Sequence, residues 1–198
     1  MKNLMKNTLV IVVLFTALLA NANTSLNTLN DVRKTVLTLN DVKQGDELLI
    51  KNVYGIILYK ETIKNSGSYN KGFDLTELPK GDYFFELNKD FQIKIIPFKV
   101  SNHVVVFNNN KETTIFKPSI RNKENKVYIN KLSLNLEPLE VSVYYEDAVS
   151  NDFNLIYSET LENSNSISRI LNLDIQKKGK YKIVTKTEGR KFVDYIEF

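Results

Sequence analysis

One stretch of this chain is written twice. Tyr59-Lys60-Glu61-Thr62-Ile63-Lys64-Asn65-Ser66 returns as Tyr157-Ser158-Glu159-Thr160-Leu161-Glu162-Asn163-Ser164. The match runs on without a gap until Gly81-Asp82-Tyr83 meets Gly179-Lys180-Tyr181. Residues 55–83 and 153–181 thus share 10 identities in 29 positions at an offset of 98. A repeat of this length is a whole small domain, so the chain is expected to be two copies of one module.

The period inside the repeat decides what the module is. Leu139-Glu140-Val141-Ser142-Val143-Tyr144-Tyr145 alternates apolar with mostly polar positions, as a half-buried strand does. In the first copy the expected strands are 47–52, 56–62, 83–87 and 92–100. Turn signals lie between them, at Lys43-Gln44-Gly45-Asp46, Asn65-Ser66-Gly67-Ser68, Pro79-Lys80-Gly81 and Asn88-Lys89-Asp90. Short strands rich in β-branched and aromatic residues, with turns about every 8–12 residues, predict an all-β fold: two tandem Ig-like antiparallel β-sandwiches. Val104-Val105-Val106-Phe107 and Thr114-Ile115-Phe116 flank Asn108 to Lys111 and read as a hairpin closing the first module. Pro118 interrupts a ladder and suits a linker. The expected modules are therefore 31–116 and 117–198. In the second, the run 126–136 changes its alternation between Ile129 and Leu132, which predicts a bulge or break near Asn130-Lys131.

The first 22 residues read as an address. Lys2 and Lys6 form a positive head, Leu9 to Ala20 is apolar apart from Thr16, and Ala20-Asn21-Ala22 is a small-x-small cleavage site. The apolar stretch is short for a bilayer span, which needs about 20 residues. No Cys follows it, which excludes a lipid anchor at that point. The expected product is an exported protein, periplasmic or extracellular, that opens on a polar lead at 23–30 and has no stable membrane span.

Composition then removes several chemistries. The chain has no Cys and one His, His103. Cysteine nucleophiles, disulfides and Cys/His metal sites are excluded, and a Ser-His-Asp arrangement would have to use that one His. Without the two signal lysines the chain keeps 25 basic against 23 acidic residues, interleaved throughout. A nucleic-acid face needs a sustained basic patch, and the densest clusters, Lys177-Lys178-Gly179-Lys180 and the stretch around Arg121, Lys123 and Lys126, read as turns.

The repeated residues have structural readings. Gly81-x-Tyr83 and Gly179-x-Tyr181 precede alternating strands. In Ig-like sandwiches a Tyr there turns its hydroxyl back onto the backbone and pins a corner, while the nearby Gly allows close approach. Tyr59 and Tyr157 are expected to share a face with Ile57 and Leu155. Glu61 and Glu159 would continue that face and accept hydrogen bonds from loop amides. A functional reading makes these two carboxylates ligands at equivalent sites, but each stands without a visible catalytic partner.

The copies differ most in one loop. Glu146-Asp147-Ala148-Val149-Ser150-Asn151-Asp152 is longer than its counterpart at Lys51 to Tyr54. Glu146, Asp147 and Asp152 are candidate Ca²⁺ ligands, although their spacing matches no known calcium loop. Ten Tyr and eleven Phe, without Trp, invite a carbohydrate-binding reading with Tyr54, Tyr69, Tyr128 and Tyr144 facing outward.

A family resemblance follows from these residues. Gly55-Ile56-Ile57-Leu58-Tyr59, a polar loop and Phe73-Asp74-Leu75-Thr76-Glu77-Leu78-Pro79-Lys80-Gly81-Asp82-Tyr83 resemble the C-terminal sorting domains of Bacteroidota proteins exported by type IX secretion. The second copy is similar more loosely, with Leu171-Asn172-Leu173 for the Phe-Asp-Leu and Gln176 in place of a Leu. The resemblance implies a small Ig-like sandwich. The chain departs from the family in lacking a Pro-Asn-Pro opening segment and a basic tail in its terminal Asp194-Tyr195-Ile196-Glu197-Phe198, and it is expected to carry no cargo.

These readings converge on a non-enzymatic exported tandem that binds a protein or cell-surface partner, or acts as a structural module. No cofactor is expected. The alternative is a glycan-binding module that uses loop aromatics, with or without calcium. A glycosidase is disfavoured because no pair of carboxylates faces across a cleft.

Overall fold

The computed structural model describes residues 26–28, 35–147, 149–173 and 179–197. The signal segment, most of the polar lead, and the part of the second copy holding Gln176 lie outside them. Among the described residues the chain forms sixteen strands and one 3₁₀ turn.

The first sandwich uses β1 (Leu26–Thr28), β2 (Thr35–Val42), β3 (Glu47–Asn52), β4 (Ile57–Thr62), β5 (Gly67–Phe73), β6 (Gly81–Asn88) and β7 (Gln92–Ser101). Its smaller sheet has the order β1-β2-β5 and its larger one β4-β3-β6-β7-β8, where β8 is Val104–Phe107. The second sandwich repeats the plan. β10 (Ser119–Lys123), β11 (Lys126–Leu132) and β14 (Ser166–Asn172) form the smaller sheet. β13 (Phe153–Leu161), β12 (Leu139–Glu146), β15 (Lys180–Thr187) and β16 (Arg190–Glu197) form the larger one in that order. In both copies the fourth strand pairs with the third. A constant-type Ig domain instead groups its fourth strand with the first, second and fifth. The architecture is all-β and antiparallel throughout.

Each sandwich has its own core. Leu37 and Leu39 of β2 and Phe73 of β5 meet Leu48 and Ile50 of β3, Phe85 of β6 and Ile96 and Phe98 of β7. Val127, Ile129 and Ile167 meet Leu139, Val141, Val143, Tyr181 and Ile183 in the second. Alternation along each strand sends these side chains inward, and each fully buried aliphatic or aromatic side chain contributes about 1.5–3 kcal/mol.

Three expectations are corrected. β8 and β9 (Thr113–Phe116) do not form a hairpin with each other. Both pair antiparallel with β7, β8 along Phe98–Ser101 and β9 along Gln92–Ile95, with the 3₁₀ turn Asn109–Lys111 between them. Local sequence proposes a hairpin, but β7 is ten residues long and has ladder positions for both segments. Second, β11 pairs in unbroken register with β14 from Lys126↔Asn172 to Leu132↔Ser166. The alternation breaks there because Lys131, a charged residue, takes an inward position; its side chain is fully buried and donates to Glu188 at 3.1 Å.

The third correction concerns the repeated Tyr. Ile57 pairs with Lys51 and Tyr59 with Ile50, which leaves Leu58 as an extra residue in a β-bulge. The second copy does the same: Leu155 pairs with Tyr144, Tyr157 with Val143, and Ile156 is extra. The bulge turns Ile57 and Leu155 to the outward face, whereas Tyr59 and Tyr157 face the core. The inserted residue is as apolar as its neighbours, so alternation alone does not reveal it.

Candidate functional site

The duplicated carboxylates sit at the edge where the two sheets of each sandwich come closest in sequence. β4 is the edge of the larger sheet and β5 the edge of the smaller one. Glu61 Oε2 accepts from the Tyr59 hydroxyl, from Tyr69 Oη at 3.0 Å and from Lys71 Nζ at 2.6 Å. Lys71 also donates to Tyr59 Oη at 2.6 Å. The Lys71 ammonium, with Tyr59 next, holds the Glu61 carboxyl down at about 2. Burial and Glu61 push the Tyr59 hydroxyl up.

The second copy rebuilds this group. Glu159 Oε2 accepts from the Tyr157 hydroxyl and from Arg169 Nε at 2.8 Å, and Arg169 Nη2 donates to Tyr157 Oη at 3.2 Å. Lys71 and Arg169 are related by the same offset of 98 residues. The pairing with loop amides expected for Glu61 and Glu159 is therefore corrected. Their partners are a tyrosine two residues back and a cation on the next strand. That cation was hidden in the sequence because Lys and Arg at an exposed strand position read as solvated. The arrangement is a polar clip between the two sheets of each sandwich. Tyr69, expected to face outward, packs against the first core with its hydroxyl in the clip.

The corner residues are placed as follows. Tyr83 Oη donates to Pro79 O at 2.8 Å, and its ring stacks on Phe98 at 5.6 Å between centroids. A Cβ on Gly81 would lie 3.3 Å from the Tyr83 ring. Tyr181 is fully buried and packs on Tyr145 with centroids 5.0 Å apart. Gly179 has φ +153°, and a Cβ there would lie 3.1 Å from Tyr145 Oη. Both glycines thus sit where an aromatic ring approaches the backbone.

The acidic loop folds on itself. Asp147 Oδ1 accepts from the amides of Val149 and Ser150, both at 2.9 Å, and these bonds hold its carboxyl below the usual range. Glu146 pairs with Lys180 at 3.6 Å. The amide of Asp147 donates to the carbonyl of Asp152 at 2.8 Å. Among the described residues no three carboxylate or imidazole groups converge on a point where a metal ion would sit. His103 lies in the β7–β8 turn with Nδ1 3.1 Å from Thr76 O.

The counterpart of that loop in the first sandwich is an apolar tip. Val53, Tyr54, Ile56, Ile57 and Leu58 are 45–86 % exposed and nearly consecutive, with Tyr54 the most exposed. The turn that presents them is braced. Asn52 Oδ1 accepts from the amides of Tyr54 and Ile56, both at 3.0 Å, and Gly55 N bonds Asn52 O at 2.9 Å with φ +80°. Scattered exposed aliphatics are ordinary on a soluble surface, but five large ones at this braced turn and the start of β4 make one apolar patch. A second exposed group lies on the outward face of β12, β13, β15 and β16. The Lys182 ammonium sits 4.6 Å from the Tyr144 ring and 4.5 Å from the Phe153 ring, and Phe153 packs edge-on to the exposed Tyr195.

No protein-family model matches this chain, and no curated protein does. Solved structures that align with this chain include a biofilm-associated protein, BSP domain, at 16 % identity and TM-score 0.28, covering 84 % of this chain and 27 % of that one. The FN1–FN3 domains of chicken CNTN1 align at 11 % identity and TM-score 0.28, covering 83 % of this chain and 60 % of that one. The ligand-binding domain of human OSCAR aligns at 10 % identity and TM-score 0.25, covering 83 % and 89 %. This chain therefore spans about a quarter of the first and three fifths of the second.

Proposed function

We propose that this protein is a non-catalytic, exported binding module that grips a protein partner through the β3–β4 tip of its first sandwich. The observation that carries the reading is the exposed run Val53–Leu58 on a turn fixed by Asn52. A rigid apolar tip loses little conformational freedom on docking. The duplicated carboxylates support the non-catalytic part, because both are held in clips between sheets. The signal segment at 1–22, the modules at 31–116 and 117–198, and the likeness to sorting domains belong to the same reading. No helix of the described residues is long and apolar enough to cross a membrane.

The test replaces Tyr54 with a photo-crosslinking phenylalanine analogue in the exporting cell. A discrete adduct that disappears in Val53→Ser/Ile56→Ser is the expected result. No adduct at Tyr54, or an adduct indifferent to the double change, overturns the reading.

One observation favours a glycan as a second reading. Phe153, Tyr195 and Tyr144 form an aromatic face around Lys182, on the sheet instead of in loops. Binding to a glycan array that is lost in Tyr195→Ala and unaffected by a chelator would support it; no binding would end it.

A further inference from the structure

Glu86 is in the wrong place for an acidic residue on a two-sheet sandwich. On β6, Phe85 and Leu87 point into the core, so Glu86 faces outward. An outward carboxylate on such a sheet normally stands in water, yet Glu86 is only 4 % exposed. It is held by two cations. Lys51 of β3 donates at 2.7 Å to Oε1, and Arg190 of β16 donates at 2.5 Å to Oε2. Lys51 belongs to the same sheet. Arg190 lies 104 residues further along, in the other sandwich.

The surroundings agree. Leu49, opposite Glu86 in the register, is buried on the same outward face, as are Ile93 of β7 and its partner Ile115 of β9. None of the three belongs to either core. Lys117, at the end of β9, donates to Lys89 O at 2.5 Å, and its burial lowers its pKa. The chain therefore leaves the first sandwich at its β6–β7 turn. On the other side, the β15–β16 turn is two residues, Glu188 and Gly189, with φ 49° and 69°. A turn of that kind fixes the next residue rigidly. Glu188 is tied to the buried Lys131.

We infer that the β15–β16 hairpin of the second sandwich is clamped onto the outward face of the first, with Glu86 as the shared anchor, so that the tandem moves as one body. Equivalent turns of the two copies meet at the junction. The segment β8–β9 makes this possible by running back along the whole of β7 before the chain crosses over. The acidic loop 147–152 lies at the end of its sheet remote from the junction, because Tyr145 pairs with Tyr181, whereas the apolar β3–β4 tip begins just beyond Asn52↔Tyr83, three register positions from Leu49↔Glu86. The clamp thus sets the distance between the two surface features in which the copies differ most. Buried ion pairs often contribute more to a defined geometry than to net stability, and that is the role assigned here.

The absence of Cys makes the test clean. Spin labels at Thr62→Cys and Asn122→Cys, both exposed, report the distance between sandwiches by pulsed electron resonance on the full chain. The parent is expected to give one narrow distribution. Arg190→Gln should broaden it about twofold, since domains joined by a small interface move freely once it opens. Glu86→Gln should do the same, and the double change should be no broader than either single one. Lys186→Ala, which removes the exposed pair with Glu140, should leave it narrow. Hydrogen exchange at core amides of each sandwich verifies that both remain folded. A parent distribution as broad as that of Arg190→Gln, an unchanged width in both clamp variants, or equal broadening by Lys186→Ala overturns the inference.

Discussion

The two sandwiches share a strand order and fill their cores differently. The first packs ring against ring, edge-on or tilted: Tyr59 against Phe73 at 5.3 Å, Phe73 against Phe85 at 5.2 Å, Phe85 against Phe98 at 5.3 Å and Phe98 against Phe107 at 5.5 Å. At the offset of 98, Phe73, Phe85 and Phe98 become Leu171, Ile183 and Ile196. Open pockets border both cores, about 420 Å³ beside Val143, Tyr157, Leu171 and Tyr181 and about 590 Å³ beside Tyr83, Phe98 and Phe107. Strand order is thus insensitive to core chemistry so long as inward positions stay apolar.

That contrast can be tested by truncation. Phe85→Ala removes a fully buried ring with three aromatic neighbours and should cost the first sandwich about 3–5 kcal/mol. Ile183→Ala at the equivalent place should cost the second about 2–4 kcal/mol. Urea unfolding followed by hydrogen exchange in each core separates the two, and equal losses would remove the distinction between ring-packed and aliphatic cores.

The glycines offer a smaller effect. Gly179→Ala meets both a positive φ and the Tyr145 ring, and should destabilise by about 1–3 kcal/mol. Gly81→Ala has only the Tyr83 ring to displace, at 3.3 Å, and should cost about 1 kcal/mol. If the order of the two reversed, backbone strain at Gly179 would not be what distinguishes the copies. Tyr83→Phe should cost about 1 kcal/mol through its bond to Pro79 O, read as a shift of the urea midpoint.

The smallest expected effect has opposite signs in the two copies. The Glu61 carboxyl is lowered from 4.5 to about 2, chiefly by Lys71. It therefore contributes stability above the unfolded value, which is lost as pH falls from about 4.5 toward 2. Asp194 lies opposite Ile183 on β16, and burial raises its carboxyl. Its charged form is penalised in the folded state, so this group favours folding as pH falls through the raised value. Amide exchange between pH 5 and 3 should show the first sandwich loosening relative to the second. Lys71→Met should abolish the first trend, and a parallel response of both copies would refute the assignment.

What the sequence made legible was local. Alternation located β3, β6, β7, β12 and β15, and the repeat revealed that there are two copies. In the first copy the ring near Gly81 is that of the motif's own Tyr83, whereas at Gly179 it is that of Tyr145, which the Gly-x-Tyr motif does not contain. Three things lay beyond that reach because they depend on contacts between distant residues. The bulge at Leu58 and Ile156 was masked by an apolar insertion. The joint pairing of β8 and β9 with β7 needs knowledge of an unoccupied ladder. Glu86 resembled any outward acid, since its second cation is found only by folding the other half of the chain. Lys71 and Arg169 are only ten residues from Glu61 and Glu159, and were hidden because a cation at an exposed strand position reads as solvated.

The duplicated bulge has a consequence for how such a chain reaches its native state. Neighbouring domains on one chain meet at high effective concentration, and similar ones can exchange strands while they fold. Among the edges open to that error are β4 and β13, at one side of the larger sheets. A bulge in each interrupts the ladder that a stray strand would need and twists the edge away from it. Leu58 and Ile156 therefore act as insulation: each copy completes its own sheet without borrowing from the other.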